Sequence, residues 1–397
     1  MLVALIATPL LYQKLGEDQF GLVSLSLTIT MLLGIVVSYG FHVNGPKRIA
    51  LLLDKPEAQS TLVTEVNFTR AILSLVVIGL VLIAVGLGAF PGYSQILTLS
   101  LIILLGEAVF PLFILQGLDR LSLLAISNAV MKIIYVVGIL LVIQSPEDAR
   151  WVNFVLGGST FLVNTILLAY LYSQRSYRFY WVKFSRIKAR LIDNFQFFSY
   201  TTGAYVLVNG GFILLSNFVS DMELGRFSIA QKVAILLRTV PALLTQSILQ
   251  NASRLFHDDK DAFEKYLNRV FRNGLLITLA MGLGFAFTST WVVRVLAGEF
   301  VPYSANILSI LCFLPFLAML NVGNMIRILV VERKQLLSKA MWTATFVMLV
   351  LGALGSHYYG GYGLAVALLI SEAFNALIHW YLLKKEVAAQ STPKNSR

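Results

Sequence analysis

The sequence predicts an all-α, polytopic membrane protein: about twelve transmembrane helices in two six-helix lobes around a central cavity. Three observations carry this prediction. Apolar runs of bilayer-spanning length recur along the 397 residues. The positive charges between those runs alternate between dense and sparse segments. Features of the first half return in the second at nearly constant offset. Composition agrees, with 57% hydrophobic and only 13% charged residues, against ~25% charged in an ordinary soluble domain.

In chain order the expected spans are 2–15, 22–41, 68–89, 95–115, 121–143, 152–172, 195–219, 227–251, 274–296, 304–325, 336–357 and 363–383. The first is short. It lacks the basic start and small-residue cleavage site of a secretory signal, and reads as the end of a membrane helix that begins further upstream. If the N-terminus is cytoplasmic, 24 of the 31 Lys and Arg fall in inner segments, Arg70 being assigned to the first of these. Three, Lys14, Arg150 and Arg226, fall in outer loops. Both termini are therefore expected in the cytoplasm, and the bias accounts for the net charge of +11 without nucleic acid. The inner segments 47–67, 175–190 and 254–272 mix aromatic and aliphatic residues with basic ones, as segments lying along anionic headgroups do. The expected organisation is a lobe over 1–173, a basic amphipathic linker over 174–194, a lobe over 195–383 and a disordered cytoplasmic tail over 384–397.

The repeat is carried by short matches. Phe20-Gly21-Leu22-Val23-Ser24 opens the second span and Leu224-Gly225-Arg226-Phe227-Ser228 the eighth. Gly88-Ala89-Phe90-Pro91-Gly92-Tyr93-Ser94 and Gly298-Glu299-Phe300-Val301-Pro302-Tyr303-Ser304 both read Gly-x-Phe-x-x-Tyr-Ser in equivalent outer loops, and Asp54-Lys55 matches Asp259-Lys260. Two halves with an even number of helices enter the membrane the same way and relate by an axis along its normal.

Charge inside the spans marks the candidate site. A cation at the bilayer centre costs roughly 2.5–3.5 kcal/mol or more, so it faces a partner or a watery cavity. Lys232, Thr239 and Gln246 recur every seven residues in the eighth span, and Gln231, Arg238 and Thr245 form the adjoining stripe, with Pro241 expected to kink the helix. Lys132, with Asn128 one turn before it, lies in the fifth span; Glu107 lies in the fourth and Glu372 in the twelfth. Two readings stay open. Either the cations line a transport cavity, or they are neutralised in pairs, Glu107 with Lys132 and Glu372 with Arg238. Four in-span cations, Arg294 included, against two carboxylates leave a surplus either way.

Leu15-Gly16-Glu17-Asp18-Gln19-Phe20-Gly21, Ser38-Tyr39-Gly40-Phe41, Gln116-Gly117-Leu118-Asp119-Arg120 and Leu296-Ala297-Gly298-Glu299-Phe300 resemble segments of the polysaccharide (O-antigen-type) flippases of the multidrug/oligosaccharidyl-lipid/polysaccharide exporter superfamily. The resemblance spans essentially the whole chain. It implies translocation of undecaprenyl-diphosphate-linked oligosaccharides across a bacterial inner membrane by alternating access, driven by an ion gradient and alongside other polysaccharide-assembly proteins. Arg238, Lys232, Lys132 and Asn128 would then contact the diphosphate, since guanidinium and ammonium groups grip phosphate. Glu107 and Glu372 are candidates for a coupling proton or sodium ion. The alternative cargo on the same architecture is a peptidoglycan lipid precursor, or a drug exchanged for an ion. An enzyme is disfavoured: the four histidines are scattered, no His/Asp/Glu group has metal-ligand spacing, and no Gly-x-x-x-x-Gly-Lys phosphate loop occurs, so no cofactor is expected. The single Cys312 excludes a disulfide within the chain.

Overall fold

The computed structural model describes residues 2–175, 177–330 and 334–391, and among these there is no strand. The chain divides into two compact units, an N-terminal one of Lys14–Thr202 and a C-terminal one that joins Met1–Gln13 to Gly203–Arg397. The N-terminal unit holds most of α1 (Leu2–Ser38), then α2 (Phe41–Ala50), α3 (Pro56–Gly86), α4 (Ser94–Ser100), α5 (Ile102–Val109), α6 (Leu112–Gly117), α7 (Leu121–Val142), α8 (Ala149–Arg175) and most of α9 (Phe184–Tyr205). The C-terminal unit continues through a π turn at Val206–Gly210 into α10 (Gly211–Leu215), α11 (Asp221–Asp258), α12 (Lys260–Ala297), α13 (Pro302–Leu311), α14 (Leu314–Val330) and α15 (Lys334–Ser391).

Ten helical stretches among the described residues are long and apolar enough to cross a membrane, rather than twelve separate ones. The difference has a local cause. The two longest, Ala7–Ala50 and Gln335–Lys385, exceed any bilayer thickness. Each contains a glycine off the helical region, Gly16 at φ 75°, ψ 171° and Gly360 at φ 56°, ψ −137°. Only glycine adopts such angles without strain. Both lie where the sequence places a turn between neighbouring spans. Helix ends elsewhere follow residue chemistry. Pro56 and Pro302 open α3 and α13, where a missing N–H costs nothing. Asp259 caps α12 by accepting from the N–H groups of Asp261 and Ala262, so one copy of the repeated Asp-Lys pair is a helix cap. Gly298, in the left-handed region, ends α12 and begins the second Gly-x-Phe-x-x-Tyr-Ser turn. Pro241 lies inside an uninterrupted 38-residue α11 rather than at a break.

Apolar side chains are exposed along several helices, among them Ile126, Ile133 and Leu141 on α7 and Leu276, Phe287 and Trp291 on α12. Fully hydrated surfaces rarely carry such patches, and a lipid-facing surface does. Packing between helices is close where glycine allows it: a Cβ on Gly157 of α8 would meet the Ile102 Cγ2 of α5 at 2.5 Å. The chain is a multi-pass, all-helical membrane protein.

The segment between the halves departs most from expectation. Residues 184–194, expected within the linker, form the first turns of α9. The strand of chain before them is fastened to α3. Thr64 Oγ1 donates to the Arg178 carbonyl at 2.8 Å, the Arg178 N–H to Ser60 Oγ at 2.8 Å, and the buried Tyr177 hydroxyl to Gln59 Oε1 at 2.8 Å. Burial pushes the Tyr177 phenol above its ordinary pKa, which keeps it a neutral donor. Glu65, 2% exposed on α3, accepts from Arg190 Nη2 at 2.6 Å and Nε at 2.7 Å, with Arg186 at 3.6 Å. Glu65→Gln removes the charge that holds both guanidinium groups. Faster backbone hydrogen exchange is expected over 186–194, the turns of α9 that carry both arginines, with the centre of α3 unchanged; equal exchange in both proteins would show that Glu65 does not hold those turns. The expected tail also begins later: α15 continues to Ser391, and 392–397 lie outside the described residues.

Candidate functional site

The polar face of α11 divides into two stripes. Gln231 and Thr245 are buried and Arg238 half-buried, whereas Lys232 and Thr239 are half-buried and Gln246 exposed. The inward stripe meets α15. Arg238 Nη2 lies 2.6 Å from Glu372 Oε2, with side-chain exposures of 21% and 6%. This is the second of the two expected ion pairs. Its setting on α15 is polar along one buried stripe: Glu372, Asn375 and His379 follow at spacings of three and four, and the His379 Nδ1 pairs with the Asn375 carbonyl at 2.8 Å. Arg238 Nε, Asn375 Oδ1 and His379 Nε2 are buried without a hydrogen-bond partner among the described residues. A guanidinium held through one arm, with another donor unsatisfied, retains capacity to bind an oxyanion.

Glu107 does not pair with Lys132. Its carboxylate lies 3.2 Å from the Nη2 of Arg70, a residue that the charge pattern places in an inner segment rather than in the interior. The structure places Arg70 at 3% exposure on α3. Its guanidinium also donates to the carbonyls of Phe110, at 2.7 Å, and of Glu107. The reason lies in the sequence Phe110-Pro111. Pro111 has no N–H to offer the Glu107 carbonyl, so the expected fourth span is interrupted between α5 and α6. Carbonyls freed in the membrane interior need another donor, and Arg70 supplies it. A proline in mid-span was the signal that an unassigned donor must be near. Ser38 and His42 form a neighbouring polar pair at 3.3 Å.

Lys132 is exposed on α7, with no ion pair among the described residues, and Asn128 is half-buried one turn before it. The two lie in the N-terminal unit, Arg238 and Lys232 in the C-terminal one. No group of three or more metal-ligating side chains occurs among the described residues.

At the other end of α11, Glu223 ties three turns together. Its carboxylate accepts from the Tyr303 hydroxyl and from the Gly361 N–H at 3.2 Å. Tyr303 belongs to the second copy of the repeated turn, and Gly361 follows the non-helical Gly360. A side chain at Gly360 would meet this carboxylate, its Cβ 2.5 Å from Glu223 Oε1.

The sequence pattern of the family described as "Polysaccharide biosynthesis protein" matches residues 1–253. The chain belongs to the polysaccharide biosynthesis protein family. A Shigella dysenteriae protein that carries the provisional name O-antigen transporter is 23% identical to this family member over 386 residues, covering 96% of this chain and 94% of its own. Among solved structures, an inward-facing multidrug resistance MATE family transporter of the MOP superfamily aligns with a TM-score of 0.80 at 13% identity, over 99% of this chain and 96% of the transporter. The Lipid II flippase MurJ, in an inward closed conformation, aligns with a TM-score of 0.72 at 17% identity, over 96% and 85%. At these identities the likeness establishes the fold alone, one that this chain shares with both of these structures.

Proposed function

We propose that this protein flips undecaprenyl-diphosphate-linked oligosaccharides across the bacterial inner membrane for surface polysaccharide assembly, by alternating access of a central cavity. The observation that carries the reading is Arg238: a guanidinium at mid-span, bonded through one arm to Glu372 and with its Nε unsatisfied. A diphosphate offers several oxyanions that can displace one carboxylate from a guanidinium. Lys232 in the C-terminal unit, and Lys132 with Asn128 in the N-terminal one, are the further candidate donors to the diphosphate. Glu372, released from Arg238 by the substrate, is the group to take up a coupling proton or sodium ion; Glu107, paired with Arg70 rather than with a substrate-facing cation, is the second candidate. Family membership and the name of the Shigella relative support the cargo class. The lipid II precursor is the second reading, favoured by the fold shared with MurJ.

The test is complementation of a strain lacking its oligosaccharide flippase, read as surface polysaccharide and as lipid-linked oligosaccharide held on the cytoplasmic face. Ionophores that collapse the proton or the sodium gradient separate the coupling ions. Rescue of a strain lacking its lipid II flippase, without rescue of surface polysaccharide, would replace the first reading by the second. Orientation is tested separately. Reporter fusions after Ser60, Lys183 and Lys394 are expected to report cytoplasm, and those after Tyr93, Pro146 and Gly361 the outer side. Any two of the six on the wrong side would overturn the assigned topology.

A further inference from the structure

The end of the N-terminal unit that the cation bias assigns to the cytoplasm carries a recess of about 550 Å³ between α2, α3 and α9. Two arginines, Arg48 and Arg190, and the hydroxyl-bearing Thr61 line it, and Leu51, Leu52 and Leu62 supply its apolar wall. Leu51 is 72% exposed, too much for a residue whose only role is packing. The surroundings have the same two-sided character. The segment fastened to α3 holds Phe179, Trp181 and Phe184 outward, Trp181 at 84% exposure, beside the exposed Lys183, Arg186 and Lys188. Its backbone hydrogen bonds to Ser60 and Thr64 hold Arg178 against α3, and Trp181 stands edge-on to Phe68 at 5.4 Å. Aromatic residues flanked by cations at the end of membrane helices stand at headgroup depth.

Charge decides what fits. Asp193 lies 3.5 Å from Arg48, and Glu65 neutralises one of Arg186 and Arg190. Three guanidinium groups therefore face two carboxylates, and Lys183 and Lys188 add to the excess. Arg48 meets its carboxylate through one nitrogen only, leaving further donors. A phosphodiester suits such donors and a choline does not. The leucines beside them match an acyl chain. We propose that this recess is a binding site for one anionic phospholipid of the leaflet on that side, its phosphate on Arg48 and Arg190 and one acyl chain along Leu51, Leu52 and Leu62. The proposal is independent of the cargo, because no residue of the transport site takes part.

The test reads which lipid the protein retains. The full-length protein is reconstituted in discs of equal parts phosphatidylglycerol and phosphatidylcholine, released, and weighed by native mass spectrometry. The wild type is expected to retain phosphatidylglycerol preferentially. Arg48→Gln is expected to lower that enrichment roughly fivefold, the effect of one cation at an anionic surface. Ala58→Trp leaves every charge in place but fills the recess from its exposed rim, and is expected to abolish the enrichment. Lys385→Gln, on α15 of the C-terminal unit, is expected to leave it unchanged. Equal retention of the two lipids by the wild type overturns the site, as does wild-type enrichment in Arg48→Gln or Ala58→Trp. Displacement of the lipid by millimolar inorganic phosphate alone would make this a free-anion site and overturn the assignment to lipid.

Discussion

Replacing Arg238 with alanine is expected to reduce surface polysaccharide export at least tenfold while the protein still inserts at normal level. Loss of a charged hydrogen-bond donor costs about 1.5–3 kcal/mol, roughly 10- to 100-fold in affinity for an anionic group. Arg238→Lys keeps the charge but not the planar fork and is expected to retain part of the export. The decisive variant is Arg238→Ala combined with Glu372→Ala. The 2.6 Å pair makes charge neutralisation the alternative role. If Arg238 serves only to neutralise Glu372, removing both leaves no buried charge unpaired and export should return. Restored export in that double variant would falsify the substrate role. Continued failure, with normal protein level, is the outcome expected of a residue that touches the diphosphate.

Arg70→Ala is expected to cost about 3 kcal/mol of stability, the low end for breaking a buried ion pair from one side, because the Glu107 side chain is 32% exposed. It strands the Glu107 carboxylate, frees the Phe110 carbonyl beside Pro111, and leaves the Glu107 carbonyl only the Phe110 N–H at 3.3 Å. Melting of the detergent-solubilised protein, followed by size-exclusion chromatography after heating, measures this directly. Arg70→Ala with Glu107→Ala should recover the share due to the carboxylate and not the share due to the carbonyls. Full recovery in the double variant would show that the backbone contacts carry no weight.

What could be read in advance follows a physical divide. Helices, their approximate number and the turns at Gly16 and Gly360 follow from hydrophobic length and backbone chemistry, which are local properties of sequence. The Arg238–Glu372 pair was legible as one of two alternatives, because few charges are available in mid-span and each must be matched. Arg70 was misplaced because it sits near the edge of an apolar run, where charge density cannot tell a headgroup cation from a buried one. Its role depends on a proline forty-one residues away, and only three-dimensional packing brings the two together. The same applies to Glu65, whose partners lie 121 and 125 residues further along the chain. Lys232 and Lys132 were found by depth, yet depth does not say what a side chain faces.

The two compact units do not coincide with the two halves that the repeat suggests. Met1–Gln13 groups with the chain from Gly203 onward, while residues 184–202, expected as the end of the linker and the opening of the second lobe, group with the first. Each half has thus lent a stretch of helix to the other, as protomers do in a domain-swapped dimer. Severing the chain between 173 and 184 would therefore not yield two self-sufficient folding modules. The N-terminal fragment would lack the arginines that neutralise Glu65, and the C-terminal fragment would lack residues 1–13. Fragments of this protein should be obligate companions, soluble in detergent together and aggregation-prone apart, however closely their sequences echo one another.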